Sequence, residues 1–366
     1  MVLSGQRSVA LDAFRGLAIA GMILVNTPGS WAHIYPPLRH AQWHGCTPTD
    51  LVFPFFLFAT GAAMFFSFAR AEYRPTPEVL KGITRRSLLL IFIGVLLNAY
   101  PFMEPLSQWR IPGVLQRIGV AYALAALLIL YCPGLWRYLI CLFLLLFYWW
   151  LLVSFGGESP FALETNLVRT VDIALLGEAH LWSGFGIPFD PEGLLSTLPS
   201  VVSVVAGFEA ARVIAGAPGP TSAVIRLSAV GVVAVVLGLA WASAFPVNKA
   251  LWSSSYVLFT SGIGWITLAM LMLVLDVAGL KSLGRPLQIY GTNPLFIYIF
   301  SIVAARTLWV IPVGDGGDLS LYTWLYQQLL PWASPMNASL IFALIHVLLF
   351  WLLSLLLYRR NIVIKL

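Results

Sequence analysis

The sequence is a succession of apolar runs separated by short polar stretches. They lie at approximately 9–28, 49–69, 87–103, 112–131, 135–155, 194–216, 222–244, 252–277, 286–311 and 336–358. A helix of about twenty apolar residues matches the roughly 30 Å hydrocarbon core of a bilayer. Backbone in contact with lipid must satisfy its hydrogen bonds within the segment, which restricts such runs to helices. The expected fold class is therefore all-α, a polytopic membrane helix bundle with about ten transmembrane helices forming a single domain over 1–366. Composition agrees, with 60% hydrophobic residues, 10% charged residues and a mean hydropathy of +0.88, where soluble domains average about 25% charged. Asp12, Arg15 and Asn26 interrupt the first run and no small-residue cleavage site follows, so it is not read as a cleaved signal.

Charge asymmetry orients the bundle. Fourteen Lys and Arg residues, including Arg7, the group from Arg70 to Arg86, Arg360 and Lys365, fall at the termini and in the even-numbered loops, against four, Arg39, Arg110, Arg169 and Lys249, in the odd-numbered loops. The positive-inside rule then places both termini in the cytoplasm. Eight acidic residues, from Glu158 to Asp318, lie in the odd-numbered, outward loops. The net charge of +6 follows from this topology and gives no reason to invoke nucleic acid. Cys46, Cys132 and Cys141 are scattered without metal-ligand spacing, so neither a disulfide framework nor a metal site is expected. The GDGGD run at 314–318 lacks the ligand spacing of an EF-hand and reads as a flexible external turn. There is no Walker loop, no GxGxxG followed by an acidic residue, no GxSxG elbow and no HExxH.

Chemistry concentrates where polar residues meet the apolar runs. The stretch LRHAQWHGCTPTDLVFPFFLFATG, residues 38–61, sets His40, Trp43, His44, Cys46 and Asp50 at the outward mouth of a span that contains Pro54. Ionisable groups at such a boundary mark function by default. A neutral imidazole there can act as a general base or accept an acyl group. Asp50 can orient it, and Asn26, Arg117 and Lys249 offer donors for a developing oxyanion. Pro54 is expected to kink its helix and open a cavity below Asp50. Asp12 and Arg15 share a helix face as a structural pair or as a ligand-facing guanidinium. Gln116 and Arg117 lie too deep to be idle, and Arg306 and His346 are further buried candidates. Asn248 and Lys249 mark a second outward loop, and Asn293 with Pro294 suggests unwound backbone lining a cavity. The external loop at about 156–193 carries Asp190 and Glu192 among aromatics, without a strong helical pattern, as a lid or binding loop would. Taken alone, these residues define an acid/base or binding site of unspecified substrate.

Several stretches together resemble the transmembrane acetyltransferase family typified by heparan-alpha-glucosaminide N-acetyltransferase: DAFRG with VN, HAQWHGCTPTDLVFPFFLF, RIPGVLQRIGVAY, DPEGLLSTLPS with PVNKALWSSSYVL, and GTNPLFIY. The resemblance implies acetyl-CoA as co-substrate from the cytoplasm and an amino sugar, of glucosamine type, as acceptor on the far side. It makes His40 the catalytic residue and Asn26 the family's asparagine; Asp50 joins them from the residue chemistry above, and His44, where relatives often have Asn, is the alternative imidazole. Arg15, Arg85, Arg86, Arg117 and Asn293 are the expected acetyl-CoA contacts; Trp43, His44, Asp190, Glu192, Asn248 and Lys249 are the expected acceptor contacts. The family likeness further implies a bacterial inner-membrane form, opening to the periplasm, and a homodimer. His40 either deprotonates the acceptor for direct transfer or carries the acetyl group in a two-step route. Competing readings are an amino sugar or N-acetylglucosamine carrier with a site between broken helices, and an O-acetyltransferase of envelope glycans.

Overall fold

A computed structural model describes residues 9–314 and 317–364. Arg7, Asp315, Lys365 and the centre of the GDGGD run lie outside the described residues. The described chain is α1 Val9–Asn26, α2 Val52–Ala69, α3 Pro77–Ala99, α4 Val114–Tyr131, α5 Leu135–Phe155, α6 Leu167–Leu176, α7 Thr197–Ala215, α8 Pro220–Trp241, α9 Ser254–Met272, α10 Lys281–Tyr290, α11 Pro294–Val310, α12 Leu321–Gln327 and α13 Pro335–Arg359. Pro312–Val313 and Leu319–Ser320 add a two-stranded antiparallel pair. The all-α membrane bundle is thus what the chain forms.

Every apolar run maps onto a helix, with two differences from expectation. Among the described residues, eight helices are long and apolar enough to cross a bilayer, namely α1, α2, α4, α5, α7, α8, α9 and α13. The run at 286–311 is instead a pair, α10 and α11, bent by 59°. Asn293 stands at the break with Pro294 at the first turn of α11, and the residue before a proline is disfavoured in helical conformation. The run at 87–103 is the second half of α3, which starts ten residues earlier and carries Lys81, Arg85 and Arg86 in its first half. Its start is written locally: Thr76 accepts a hydrogen bond from Val79 N and Pro77 follows at the first helical position. Proline opens α8, α11 and α13 in the same way.

Burial separates an inner from an outer set of helices. About three-fifths of α2, α4 and α7 is buried, whereas α5 and α8 are 22% buried and turn Phe143, Trp150, Val232 and Val236 outward. Lipid is the medium that suits those faces. The inner helices approach closely through small residues. A Cβ on Gly61 would fall 1.7 Å from Val204 O and one on Gly207 would fall 1.8 Å from Phe58 O, so the α2–α7 contact admits no side chain at either position. The segment 156–193 is more ordered than its sequence suggests: it contains α6, whose first turn is capped by Asn166 Oδ1 accepting from Arg169 N at 2.9 Å.

Candidate functional site

The site begins with a cap. In Thr47-Pro48-Thr49-Asp50 the cap Thr, the proline at the first helical position and the acid at the third make a reciprocal capping box ahead of α2. The Asp50 Oδ2 atom accepts from Thr47 N at 3.0 Å, Thr47 Oγ1 at 3.1 Å and Ala41 N at 3.0 Å. That leaves Oδ1 for His40, whose Nδ1 lies 2.6 Å away. Asp50 is 1% exposed while the His40 side chain is 44% exposed. A buried carboxylate on Nδ1 fixes the proton there and leaves the Nε2 lone pair facing outward, the arrangement a general base requires.

Pro54 sits in the first turn of α2 rather than in mid-span, where it breaks no hydrogen bond between residues of α2. Having no N–H, it leaves the Asp50 carbonyl without its helical donor. Tyr256 Oη of α9 donates to that carbonyl at 2.6 Å. The proline thereby becomes the point at which α9 is tied to the turn that carries Asp50.

A second strand of chain closes over the first. Gly45, at φ +109°, donates its N–H to Val247 O at 2.7 Å. That conformation is open to glycine and strained for other residues. The pairing delivers Asn248 and Lys249. Asn248 is fully buried, accepts from Leu251 N at 2.8 Å and sets Nδ2 3.3 Å from His44 Nδ1. Lys249 Nζ lies 3.2 Å from Nδ1 and 3.5 Å from Nε2 of His40, and 3.8 Å from Asp50 Oδ1. Burial pulls the Lys249 ammonium below its ordinary range, with Glu192 and Asp50 opposing the shift. Burial likewise lowers His44 and pushes the Cys46 thiol up to about 12, which removes Cys46 as a thiolate nucleophile. Trp43 walls the site, its Nε1 donating to Phe161 O at 2.7 Å and its ring meeting Phe185 and Phe189 edge-on.

The carboxylates Asp190 and Glu192 are placed differently from expectation. Asp190 is fully buried and accepts from Arg110 Nε and Nη2 at 2.7 Å each, with Trp182 N and Glu192 N completing its oxygens. A carboxylate so occupied holds the loop together and has no lone pair free for an acceptor. Glu192 shares Arg110 through Oε2 at 2.7 Å, leaving Oε1 without a hydrogen-bond partner among the described residues. The two carboxylates hold the Arg110 guanidinium firmly protonated. Arg117 faces this loop: its Nη2 donates to Gly193 O and Ser196 Oγ, and the guanidinium lies 4.9 Å from the centre of the Trp252 ring. Its Nε and Nη1 are buried without partners.

Midway along α2 lies a cavity of about 460 Å³ whose lining includes Arg15, Phe56, Thr60, Arg86, Thr292 and Ile364. Arg86 sits 4.8 Å over the Tyr122 ring with its Nε buried and unpartnered. Arg15 donates to Gly291 O at 3.1 Å and is 3.7 Å from Asp12. The volume is that of a small-molecule pocket, and two guanidiniums at an apolar cavity suit an anionic ligand with an apolar arm. Arg85, by contrast, is exposed. Asn293 does not point its amide at a ligand: Nδ2 donates to Ile362 O at 2.9 Å and Oδ1 accepts from Ile364 N at 2.7 Å, clamping the tail beside the cavity. Asn26 ends α1 exposed and makes no hydrogen bond to the His40 cluster.

His40, Asp50, His44, Asn248, Lys249 and Trp43 are therefore brought into one cluster, while Arg15 and Arg86 share the cavity. Thr47, Tyr256 and Arg110 were missed. Thr47 is readable from its spacing to Asp50, and Arg110 from being one of the few cations in the odd-numbered loops, which are rich in acids. Tyr256 carries no local signal.

The fold and site define a polytopic membrane protein built around a carboxylate-held histidine and an arginine-bearing internal cavity. The family profile described as heparan-alpha-glucosaminide N-acetyltransferase, catalytic, matches residues 7–185. The chain is 31% identical over 353 residues to heparan-alpha-glucosaminide N-acetyltransferase of Mus musculus, covering 81% of this chain and 53% of that protein. It is 32% identical over 348 residues to the Homo sapiens protein of the same name, covering 79% and 52%. The chain belongs to this family of heparan-alpha-glucosaminide N-acetyltransferase-like proteins. It spans about half the length of both relatives.

Proposed function

We propose that the protein is a transmembrane N-acetyltransferase that moves the acetyl group of acetyl-CoA, supplied from the cytoplasmic side, to the amine of a glucosamine-type sugar at the outward mouth. The observation that carries this reading is the buried Asp50 carboxylate 2.6 Å from His40 Nδ1, which leaves Nε2 as the ring nitrogen with a lone pair, Lys249 Nζ lying 3.5 Å from it. An acceptor ammonium is not nucleophilic until it loses a proton, and Nε2 is the group placed to take it. The amine lone pair then attacks the thioester carbonyl and the C–S bond breaks; of the two N–H protons shed between ammonium and amide, one passes through His40 to the departing CoA thiolate and the other leaves to solvent. Arg15 and Arg86 would hold the donor's phosphates in the cavity. Trp43, His44, Asn248, Lys249 and the free oxygen of Glu192 would wall the acceptor.

The test is acetyl-CoA turnover by the purified protein in detergent, with and without glucosamine, for wild type and His40→Ala. Glucosamine-dependent CoA release that disappears in the variant is expected; wild-type turnover by His40→Ala would remove the base assignment. The break between α10 and α11 supports a second reading, a sugar carrier. Uptake of labelled glucosamine by vesicles lacking any acyl donor would favour it.

A further inference from the structure

The chain carries a primary amine of its own where the acceptor amine has to come. A base acts on a proton at about 2.6–3.2 Å, somewhat longer before the reacting complex tightens. Lys249 Nζ is 3.5 Å from Nε2 of His40, the nitrogen left to act as the base, and 3.2 Å from Nδ1, so it lies over the ring, and a turn of its flexible stem brings it to the Nε2 edge. It reaches that position on rigid supports. The 246–253 segment is pinned to the His40 segment by Gly45 N to Val247 O and closed on itself by Asn248 N to Ser253 Oγ at 3.0 Å. The side chain is 20% exposed, so a donor reaching His40 also reaches Nζ.

We infer that Lys249 is a self-acetylation site: in the absence of an acceptor sugar, the acetyl group of an acetyl thioester is transferred to Lys249 Nζ with His40 as the base. The inference rests on the acetyltransferase reading given above. The free amine attacks the thioester carbonyl, an N–C amide bond forms and the C–S bond breaks. His40 Nε2 takes the proton released from nitrogen and returns it to the thiolate, so the products are Nε-acetyl-Lys249 and CoA thiol. Burial favours the free amine that this requires, while Asp50 at 3.8 Å and Glu192 hold it back, which makes the reaction slower than transfer to a bound sugar. An amide does not donate acetyl onward, and the modified side chain is neutral and longer. Acetylated Lys249 therefore blocks the acceptor position and loses its pairing with Asp50. A sugar that fills the mouth protects the enzyme from its own donor.

The experiment is incubation of the purified full-length chain in detergent with acetyl-labelled acetyl-CoA, with and without glucosamine, followed by peptide mass spectrometry. The adduct is expected on Lys249 as a hydroxylamine-stable amide, approaching one acetyl per chain. Proximity should make it at least about tenfold faster there than at the exposed Lys81 and Lys281. It should fall to the rate of those lysines in His40→Gln, and glucosamine should suppress it. Glucosamine-dependent CoA release without a Lys249 adduct overturns the inference and leaves the enzyme reading standing. So does an adduct that forms equally in His40→Gln, or a hydroxylamine-labile adduct confined to His40. A wild type that neither consumes acetyl-CoA with glucosamine nor becomes labelled removes both readings together.

Discussion

Replacing Asp50 with Asn keeps the shape of the side chain and changes which of its atoms can accept. Three donors, Ala41 N, Thr47 N and Thr47 Oγ1, converge on Oδ2, so the amide oxygen of the variant must face them. The amide NH2 is then turned toward His40 Nδ1, where the native carboxylate accepts at 2.6 Å. Two donors cannot share that distance. The ring relieves the clash by moving its proton to Nε2, the atom proposed above to accept from the sugar amine. Holding a base histidine in the wrong tautomer costs about 10³–10⁴ in turnover, which at 1.36 kcal/mol per factor of ten is about 4–5.5 kcal/mol of transition-state stabilisation. The fold loses less, about 1–3 kcal/mol for one charge-assisted hydrogen bond, because the three capping bonds survive. The assay is glucosamine-dependent CoA release for Asp50→Asn, His40→Gln and the double variant, each first checked for a wild-type-like unfolding midpoint. The two residues act as a unit, so the double variant should be no slower than His40→Gln alone. Turnover by Asp50→Asn within about threefold of wild type, or a double variant in which the two losses multiply, would refute the pairing.

Two further outcomes concern stability. Asp172 is fully buried, has Oδ2 without a partner, and is pushed up to about 7 by burial, from an ordinary 3.8. The folded chain therefore holds a proton that the unfolded chain releases between about pH 4 and 7, so this group makes stability fall as pH rises through that window. At most about 4 kcal/mol is involved; Asp172→Asn should melt progressively higher than wild type from pH 5 to pH 8, and a constant difference would count against a protonated Asp172. At the α2–α7 contact, Gly207→Val inserts its Cβ 1.8 Å from Phe58 O, where overpacking costs typically 1–3 kcal/mol or more. Gly82→Ala meets nothing within 4 Å on exposed α3 and should leave the melting point unchanged or raise it, by at most about 1 kcal/mol; equal effects at the two glycines would contradict the close approach of α2 and α7.

What could be read in the sequence follows the range of the interactions concerned. Helices were legible because their cause is local: about twenty apolar residues in a run. The run at 87–103 was placed late because apolarity tracks where α3 meets lipid rather than where Thr76 caps it. His40 and Asp50 were legible as a cluster, being ten residues apart at one mouth. The capping box that aims the Asp50 carboxylate was equally local, in the three-residue spacing from Thr47. Asp190 and Asn293 failed for a different reason. A carboxylate among aromatics and an amide before a proline look the same whether they await a ligand or already hold a partner. What decides is a residue far away in sequence: Arg110, 80 residues from Asp190, and the tail at Ile362–Ile364, some 70 residues from Asn293.

Pro54 shows how a local cause acquires a distant consequence. Its sequence signature is a missing donor, from which a kink and a cavity are a fair inference. The fold instead places it where the vacated acceptor is the carbonyl of Asp50 itself, and fills that acceptor with Tyr256, 206 residues away. The segment that carries Lys249 is thereby joined to the turn that carries the Asp50 carboxylate, through α9, which begins at Ser254. The two halves of the site are held in register by a bond that exists because one of them cannot make its own. Replacing the proline with a residue that can donate would satisfy the carbonyl within α2 and release α9, which is why this position serves the geometry of the site and not the path of the helix.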